Sequence, residues 1–374
     1  MGTTIIEYAE EYAPAVQEFN RRLLVGGAPA DRVWPIPEWL PPGPDVPLYN
    51  QYYLALEGEV VRGTYALKYQ DFGFYGTRRP VVFYHHPLSE GIVDKQYTSI
   101  GAAMLLGVLR ANRVLFALGI GGYDWGLARM LVTLKWAHCA IPYYFRVIRP
   151  ARFLRQIQAL RQSRLRRLAA DLAAASGLGW AGLTILHAAA GFRGLRTPAD
   201  VQEVEEFDEW ADAVWEESAP SFAMIAVRDA RTLRALYPGS NSNFIRLRVS
   251  SGGRTLGWAV VSDSQQAAHP AYGSLRVGMI LDGLAQPKDT RAVVAAATRA
   301  LMERGVDLIV TNQSHASWTD GLAACGFLKG PSKYIFAASR ALAALIQPFG
   351  EMVPNSHLNR GDGDYLMSYI PETR

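Results

Sequence analysis

The feature that most constrains the fold of this 374-residue chain is that the sequence repeats itself. The segments RMLVTLKWAHCAIPYYFRV and DGLAACGFLKGPSKYIFAAS fall into register at a separation of 191 residues, which lays Leu131 on Leu322, Trp136 on Phe327, Tyr143 on Tyr334 and Phe145 on Phe336. An apolar helix face, an aromatic and an alternating strand therefore recur together. The same separation carries Gly101, Leu105, Leu106 and Leu109 onto Ala292, Ala296, Ala297 and Ala300, two amphipathic helices of one phase. Each is preceded by a strand, RPVVFYHHPL or SLRVGMIL, and followed by a shorter one, VLFALGI or DLIVTN. Upstream, VRGTYALKY and RTLGWAVVS both read as hairpin strands, at a separation of 194 that loops absorb at little cost. Self-similarity of this extent makes each copy a structural unit of its own.

Per copy, the order is an N-terminal helical region, two or three antiparallel strands, a long strand, a loop and helix, a strand, a helix and a last strand. The N-terminal helices lie in EEYAPAVQEFNRRLL and VQEVEEFDEWADAVWEES. This is an α+β pattern, unlike the strict strand and helix alternation of a doubly wound sheet. The expected division is a domain over 1–150, a connector over 151–198 and a domain over 199–374. An apolar content of 49% suffices for two cores, and only 19% charged residues excludes extended disorder. Two cysteines, Cys139 and Cys325, exclude a disulfide framework and a four-thiolate zinc site, which points to a reducing compartment. The opening MGTTIIEYAEEYAP has neither the basic nor the apolar region of a secretory signal, so a cytoplasmic location is expected. Ile6 stands where a myristoylation pattern needs Ser or Thr.

Several chemistries are unsupported. GIGGYDWG after VLFAL suggests a dinucleotide loop, but Asp124 holds the third glycine position and no acidic residue follows within about 20 residues to hold a ribose. Phosphate-loop, zincin and hydrolase-elbow motifs are absent from the sequence. His85 and His86 are adjacent, so on a strand they face opposite ways and cannot chelate one metal; the other histidines have no ligand spacing, and no metal is expected. Asp362 and Asp364 in NRGDGDYLMSY read as a polar turn before a final strand.

The element order, with a loop and helix in the middle, resembles the GNAT superfamily of acyl-CoA N-acyltransferases in a tandem, two-copy form. In the first copy DKQYTSIGAAMLL is similar to the family's Arg/Gln-x-x-Gly-x-Gly/Ala pyrophosphate loop, with Thr98 in the basic or amide position, Gly101 as the first glycine and Ala103 as the second. The second copy's LAQPKDTRAVVAAATRAL has no loop glycine, but Asn312 and WTDGLAACGF resemble the family's ending. The resemblance implies two mixed sheets flanked by helices, an acetyl-CoA or other acyl-CoA cosubstrate, and an amine acceptor. It implies that pyrophosphate meets the amides of Tyr97, Thr98, Ser99, Ile100, Gly101 and Ala102, at a helix start where unpaired N–H groups and the dipole favour an anion. It also implies that two central parallel strands splay, so that the pantetheine arm pairs with an exposed strand edge near His86 to Gly91. Acyl transfer needs a base and an acid. Glu90 in PLSEG is the expected base, and Tyr143 or Tyr144 the expected acid. At the repeat separation Glu90 becomes Leu281, leaving Asp282 as the second copy's nearest carboxylate.

From Trp125 to Ala170 there is no Asp or Glu, while Arg129, Lys135, Arg146, Arg149, Arg152, Arg155, Arg161, Arg164, Arg166 and Arg167 are all cationic. The connector that follows sets Phe153, Ile157, Leu160, Leu165 and Leu168 among arginines at near-helical spacing. Residues 149–186 fit either a packed helical hairpin or a peripheral contact with an anionic membrane face; Leu172 to Leu186 is too short to span a bilayer. A nucleic-acid partner is not expected, since stacking aromatics are not interleaved with the arginines. Beside the acyltransferase, two alternatives stay open: a FemABX-like aminoacyl transferase and a catalytically silent scaffold at a membrane.

Overall fold

A computed structural model of the chain describes residues 2–29, 32–35, 46–157, 195 and 197–363. In chain order the elements of the first half are β1 (Thr4–Glu7), α1 (Ala13–Val25), β2 (Leu48–Glu57), β3 (Val60–Phe74), β4 (Thr77–Ser89), α2 (Thr98–Ala111), β5 (Leu115–Leu118), α3 (Gly126–Thr133), β6 (Ala137–Ala140), β7 (Tyr143–Val147) and α4 (Pro150–Gln156). The second half runs β8 (Asp200–Val204), α5 (Glu209–Ser218), β9 (Met224–Ala226), α6 (Ala230–Leu236), β10 (Ile245–Ser251), β11 (Arg254–Gln265), β12 (Arg276–Ala285), α7 (Thr290–Glu303), β13 (Leu308–Asn312), α8 (Ala316–Ala324), β14 (Leu328–Gly330), β15 (Ile335–Ala338) and α9 (Arg340–Leu345). The repeat is thus realised from β1 against β8 to β7 against β15, with β9 and α6 additional to the second half among the described residues. The chain is α+β, with two mixed sheets.

Hairpins build the outer strands of each sheet. Tyr75 and Gly76, at φ 48° and 84°, close β3 onto β4, and Gly252 and Gly253, at φ 55° and 80°, close β10 onto β11. Two-residue turns with positive φ match the strand twist, which is why such residues stand there. The helices bury one stripe each. α1 buries Val16, Phe19 and Leu23, and α2 buries Ile100, Met104, Leu105 and Val108. α7 is covered more completely, with Ala292 through Ala297 all buried, and its small side chains let the helix press closely onto its sheet. Two separate cores result, one around Tyr65, Tyr84, Met104 and Leu115, the other around Val261, Ile280, Val293, Trp318 and Phe327.

The sheets correct the expected boundaries. One sheet runs β1-β2-β3-β4-β5-β15-β6 and the other β14-β7-β13-β12-β11-β10-β8. β7 from the first half pairs antiparallel with β13 and β14, while β15 from the second half inserts between β5 and β6. The compact units are therefore Met1–Ala140 with Lys333–Gly350, and Ile141–Ser332 with Glu351–Arg374, in place of a division at residue 150. The exchanged strands are the very pair that the 191-residue register aligned. Two strands of like pattern fit either sheet equally well, so local sequence does not say which sheet each joins.

Most of the connector, including Leu160, Leu165 and Leu168 of its amphipathic part and the uncharged Leu172 to Leu186, lies outside the described residues. Of its flanking cations, Arg146 is buried and donates to the Cys325 carbonyl, and Arg149 and Arg152 reach the buried Asp307 carboxylate at 3.3 and 3.1 Å. Arg146 thus serves the second unit's packing, whereas Arg149 and Arg152 stay exposed to solvent while they neutralise Asp307. Among the described residues no helix is long and apolar enough to cross a membrane, and no group of three or more His, Cys, Asp or Glu could hold a metal.

Candidate active site

Each sheet opens at its central parallel pair. In the first unit β4 and β5 are paired only at Val82 with Leu115 and Phe83 with Phe116, yet β4 continues to Ser89. Thr64 lies opposite Leu88 and Ala66 opposite His85, so β4 carries one residue too many and bulges there, with His86 at φ 48°. In the second unit β12 and β13 pair only from Val277 to Met279, and β12 continues to Ala285. Val260 opposite Asp282 and Val261 opposite Ile280 leave Leu281 as the extra residue. A bulge bends its strand and increases the local twist, which steers the long strand away from its parallel neighbour. The splay expected from the resemblance is thus present in both sheets.

Beyond the first unit's splay comes the start of α2. Its N-cap residue, Tyr97, makes no capping hydrogen bond with its side chain, so the first-turn amides have no side-chain cap. Thr98, Ser99 and Ala102 are exposed, Tyr97 and Gly101 half-buried, and Ile100 faces the core. Tyr97 closes a short turn, Lys95–Tyr97, which is capped by Asp94, and the amides of Tyr97 and Thr98 already donate to the Asp94 and Lys95 carbonyls, so of the six only those from Ser99 onward are left to meet a ligand, Ile100 with its backbone alone. The glycine that packing requires here is Gly91: a Cβ on it would sit 2.8 Å from Thr98 Cα and from the Tyr97 carbonyl. On Gly101 a Cβ would meet only Ser89 Oγ at 3.7 Å, so the glycine of the sequence motif keeps space open instead of relieving a clash.

Glu90 does not stand ready to take a proton. It is buried on the turn after β4, with Arg22 Nε at 2.9 Å on one oxygen and Arg62 Nη1 at 2.8 Å on the other. Burial alone would raise its pKa, but the two guanidiniums outweigh burial and hold the carboxyl below its usual range. A carboxylate so favoured as the anion is a weak base and serves to tie α1 and β3 to the end of β4. Tyr143 and Tyr144 belong, through the strand exchange, to the second sheet, where Tyr144 is a core residue whose pKa burial raises. Burial, with Tyr272 beside it, raises the Tyr143 pKa further still. The three residues expected to share the catalysis are therefore not brought together in one unit. In the first unit the place of Tyr143 is taken by its repeat partner Tyr334, whose ring lies against Gly119 at the end of β5. The 191-residue register held that signal, once the exchange is known.

The bulge also overrides the alternation that set His85 and His86 on opposite faces: their ring centroids are 5.4 Å apart, edge to face. His85 is buried and stacks on Phe83 at 4.9 Å. Burial, with His86 and Lys68 nearby, pushes its pKa well down. His86 is half-buried, and burial and the charge of Arg32 lower its pKa as well. The Arg32 guanidinium in turn lies 3.7 Å over the ring of Trp125. That ring belongs to GIGGYDWG, whose Gly119, Gly121 and Gly122 all have positive φ. A Cβ on Gly121 would lie 3.2 Å from the Trp125 ring. The loop set aside as a nucleotide motif is thus the turn that follows β5, and Tyr123 on it meets His138 Nδ1 at 3.2 Å.

The second unit's splay is filled from within. Residues 356–362 lie along both parted strands: His357 Nε2 is 2.7 Å from the Gly283 carbonyl, and Asn359 Nδ2 donates to Asp282 Oδ1 at 2.7 Å. On the β13 side, Ser314 N donates to the Leu358 carbonyl at 3.0 Å and Leu358 N to Ser314 Oγ at 2.8 Å. Thr311 Oγ1 donates to the Ile280 carbonyl at 2.8 Å. Asp282, the second copy's nearest carboxylate, is fully buried and held by Arg228 Nε at 2.7 Å and the Tyr237 hydroxyl at 2.7 Å. Burial opposes its charge, but Arg228 leads the groups that keep its pKa low. Asp362 joins the same cluster through Arg228 Nη2 at 2.5 Å, so the segment read as a polar turn is a buried one; Asp364 lies outside the described residues. A cleft of about 400 Å³ at the start of α7 is lined by Arg254, Lys288 and Arg291, with Arg254 already paired to Asp289 at 2.9 Å. Asn312 donates to the Ile141 and Pro142 carbonyls at 3.2 and 3.3 Å and so anchors the entry to β7.

No protein-family model and no curated protein sequence matches the chain. Among solved structures, a Saccharomyces cerevisiae N-myristoyltransferase with bound myristoyl-CoA and inhibitors is 9% identical at a TM-score of 0.49, over 90% of this chain and 79% of that one. A GCN5-related N-acetyltransferase from Anabaena variabilis is 7% identical at 0.49, over 90% and 72%. A tandem GNAT protein from the clavulanic acid biosynthesis pathway is 14% identical at 0.48, over 90% and 98%. At 14% identity or less, these are likenesses in fold.

Proposed function

We propose that the chain transfers an acyl group, acetyl in the first instance, from acyl-CoA to an amine, and that the first unit alone holds the cosubstrate. The observation that carries this reading is the inequality of the two splays. In the second unit the chain's own residues 356–362 lie against both parted strands and take up acceptors, such as Gly283 O, that an extended ligand arm would need. In the first unit β4 runs on for six residues past its last pairing with β5, up to a helix start with no side-chain cap. A pantetheine arm adding to the β4 edge over Tyr84–Ser89 would carry its pyrophosphate towards the first turn of α2, to the amides from Ser99 onward, since those of Tyr97 and Thr98 are already bonded. A cytoplasmic location, where acyl-CoA is available, goes with this reading.

Calorimetric titration with acetyl-CoA tests it, together with hydrogen exchange in the complex. The expected result is one equivalent bound per chain, with slowed exchange over 84–102 and none over 280–292. Failure to bind acetyl-CoA and a longer acyl-CoA, or protection confined to the β12 edge, would remove the proposal.

A further inference from the structure

We propose that His86 is the general base of this transfer, taking the proton from the acceptor amine as it attacks the thioester. The inference rests on the acyltransferase reading above and supplies the group that Glu90, locked between Arg22 and Arg62, does not.

Position is the first support. The β4 and β5 ladder ends at Phe83, and His86 stands three residues further along, about 10 Å at strand rise, where β4 has left its partner. Backbone strain is the second. His86 sits at φ 48° although Pro87 follows, and a residue before proline is driven towards extended conformations. A left-handed non-glycine is strained and persists where its surroundings dictate it, as functional sites often do. The third support is the neighbourhood. The rings of His85 and His86 meet edge to face, and the charge of Arg32, whose guanidinium is stacked on Trp125 in the turn after β5, acts on His86. Burial first and Arg32 second disfavour the imidazolium, so the ring stands neutral before the amine arrives; the same two influences weaken it as a base, and the assignment rests on its position.

The step balances without a further reagent. As the amine nitrogen bonds to the thioester carbon, an N–H proton passes to a ring nitrogen of His86. The C–S bond then breaks, its electron pair leaves on sulfur, and the imidazolium gives the proton to the thiolate, so the products are the amide and free CoA thiol.

The test compares wild type with His86→Gln and His86→Ala. It measures acetyl-CoA binding by calorimetry and free-thiol release during acetyl-CoA hydrolysis and transfer to a panel of small amines. Expected are dissociation constants for acetyl-CoA within threefold of wild type and turnover lowered about 100-fold or more, with activity of His86→Ala partly restored by added imidazole. Turnover within threefold of wild type, equal loss of binding and turnover, or no imidazole rescue would overturn the assignment. So would a wild type that binds acetyl-CoA but neither hydrolyses nor transfers it. A wild type that binds no acyl-CoA strikes instead at the acyltransferase reading beneath.

Discussion

Replacing Arg228 by Met probes the cluster that seats residues 356–362 in the second splay. Arg228 is fully buried, with Asp282 at 2.7 Å and Asp362 at 2.5 Å, both also without solvent exposure. Methionine fills much of the same volume but leaves two carboxylates facing each other without the cation. Removing one partner of a buried ion pair costs about 3–5 kcal/mol, because an uncompensated charge stays behind. Two orphans do not double that figure here, since each keeps other donors. Asp282 still accepts from Tyr237, Asn359 and the Gly283 amide, and Asp362 from the Asn359 amide. For a domain of this size, about 2–4 °C of melting temperature per kcal/mol places the loss at roughly 6–20 °C. Scanning calorimetry measures it, and hydrogen exchange should quicken first at residues 356–362. Adding Asp282→Asn and Asp362→Asn to Arg228→Met should recover much of the loss, because the three sites share one network. A loss below about 1 kcal/mol, or one that leaves exchange in this segment unchanged, would refute the view that the cluster holds the segment in place.

Gly91→Ala should raise the dissociation constant for acetyl-CoA about tenfold, since a Cβ 2.8 Å from Thr98 Cα must displace the start of α2, and overpacking typically costs 1–3 kcal/mol; calorimetry checks this, and unchanged affinity would detach α2 from the ligand. His315 has its pKa pushed down to about 4 by burial first and by His357 second, so below about pH 6.5 the unfolded chain takes up the proton before the folded one does. Stability must then fall as the pH drops from about 6.5 towards 4, by about 2 kcal/mol at pH 5 from His315 alone. His85 and His357, also lowered, act in the same direction, and urea midpoints at pH 7 and pH 5 measure the sum.

The duplication was legible because the same apolar spacing had to build the same elements twice, and the α+β order followed from it. The strand exchange was not legible: Tyr143–Val147 and Ile335–Ala338 carry like patterns, and pattern alone does not say which sheet a strand completes. Losing that, sequence reasoning joined Tyr143 and Tyr144 to Glu90, although Glu90 belongs to the first unit and the two tyrosines to the second. A helix was read from the motif and begins at Thr98, but the turn before it, capped by Asp94, was not read and takes up the amides of Tyr97 and Thr98. Glu90 was misjudged because its partners are distant in sequence, Arg22 by 68 residues and Arg62 by 28. His86 was passed over because strict strand alternation was assumed, and a one-residue bulge, invisible in composition, suspends it.

The exchange of last strands also bears on how the chain is made. β5 leaves the ribosome with one edge open, and the strand that closes it, β15, begins at Ile335, more than 200 residues after Leu118. At a synthesis rate of about 5–20 residues per second, that edge waits roughly 10–40 s, an interval in which it can pair with another chain. The half-molecule therefore has no finished sheet of its own.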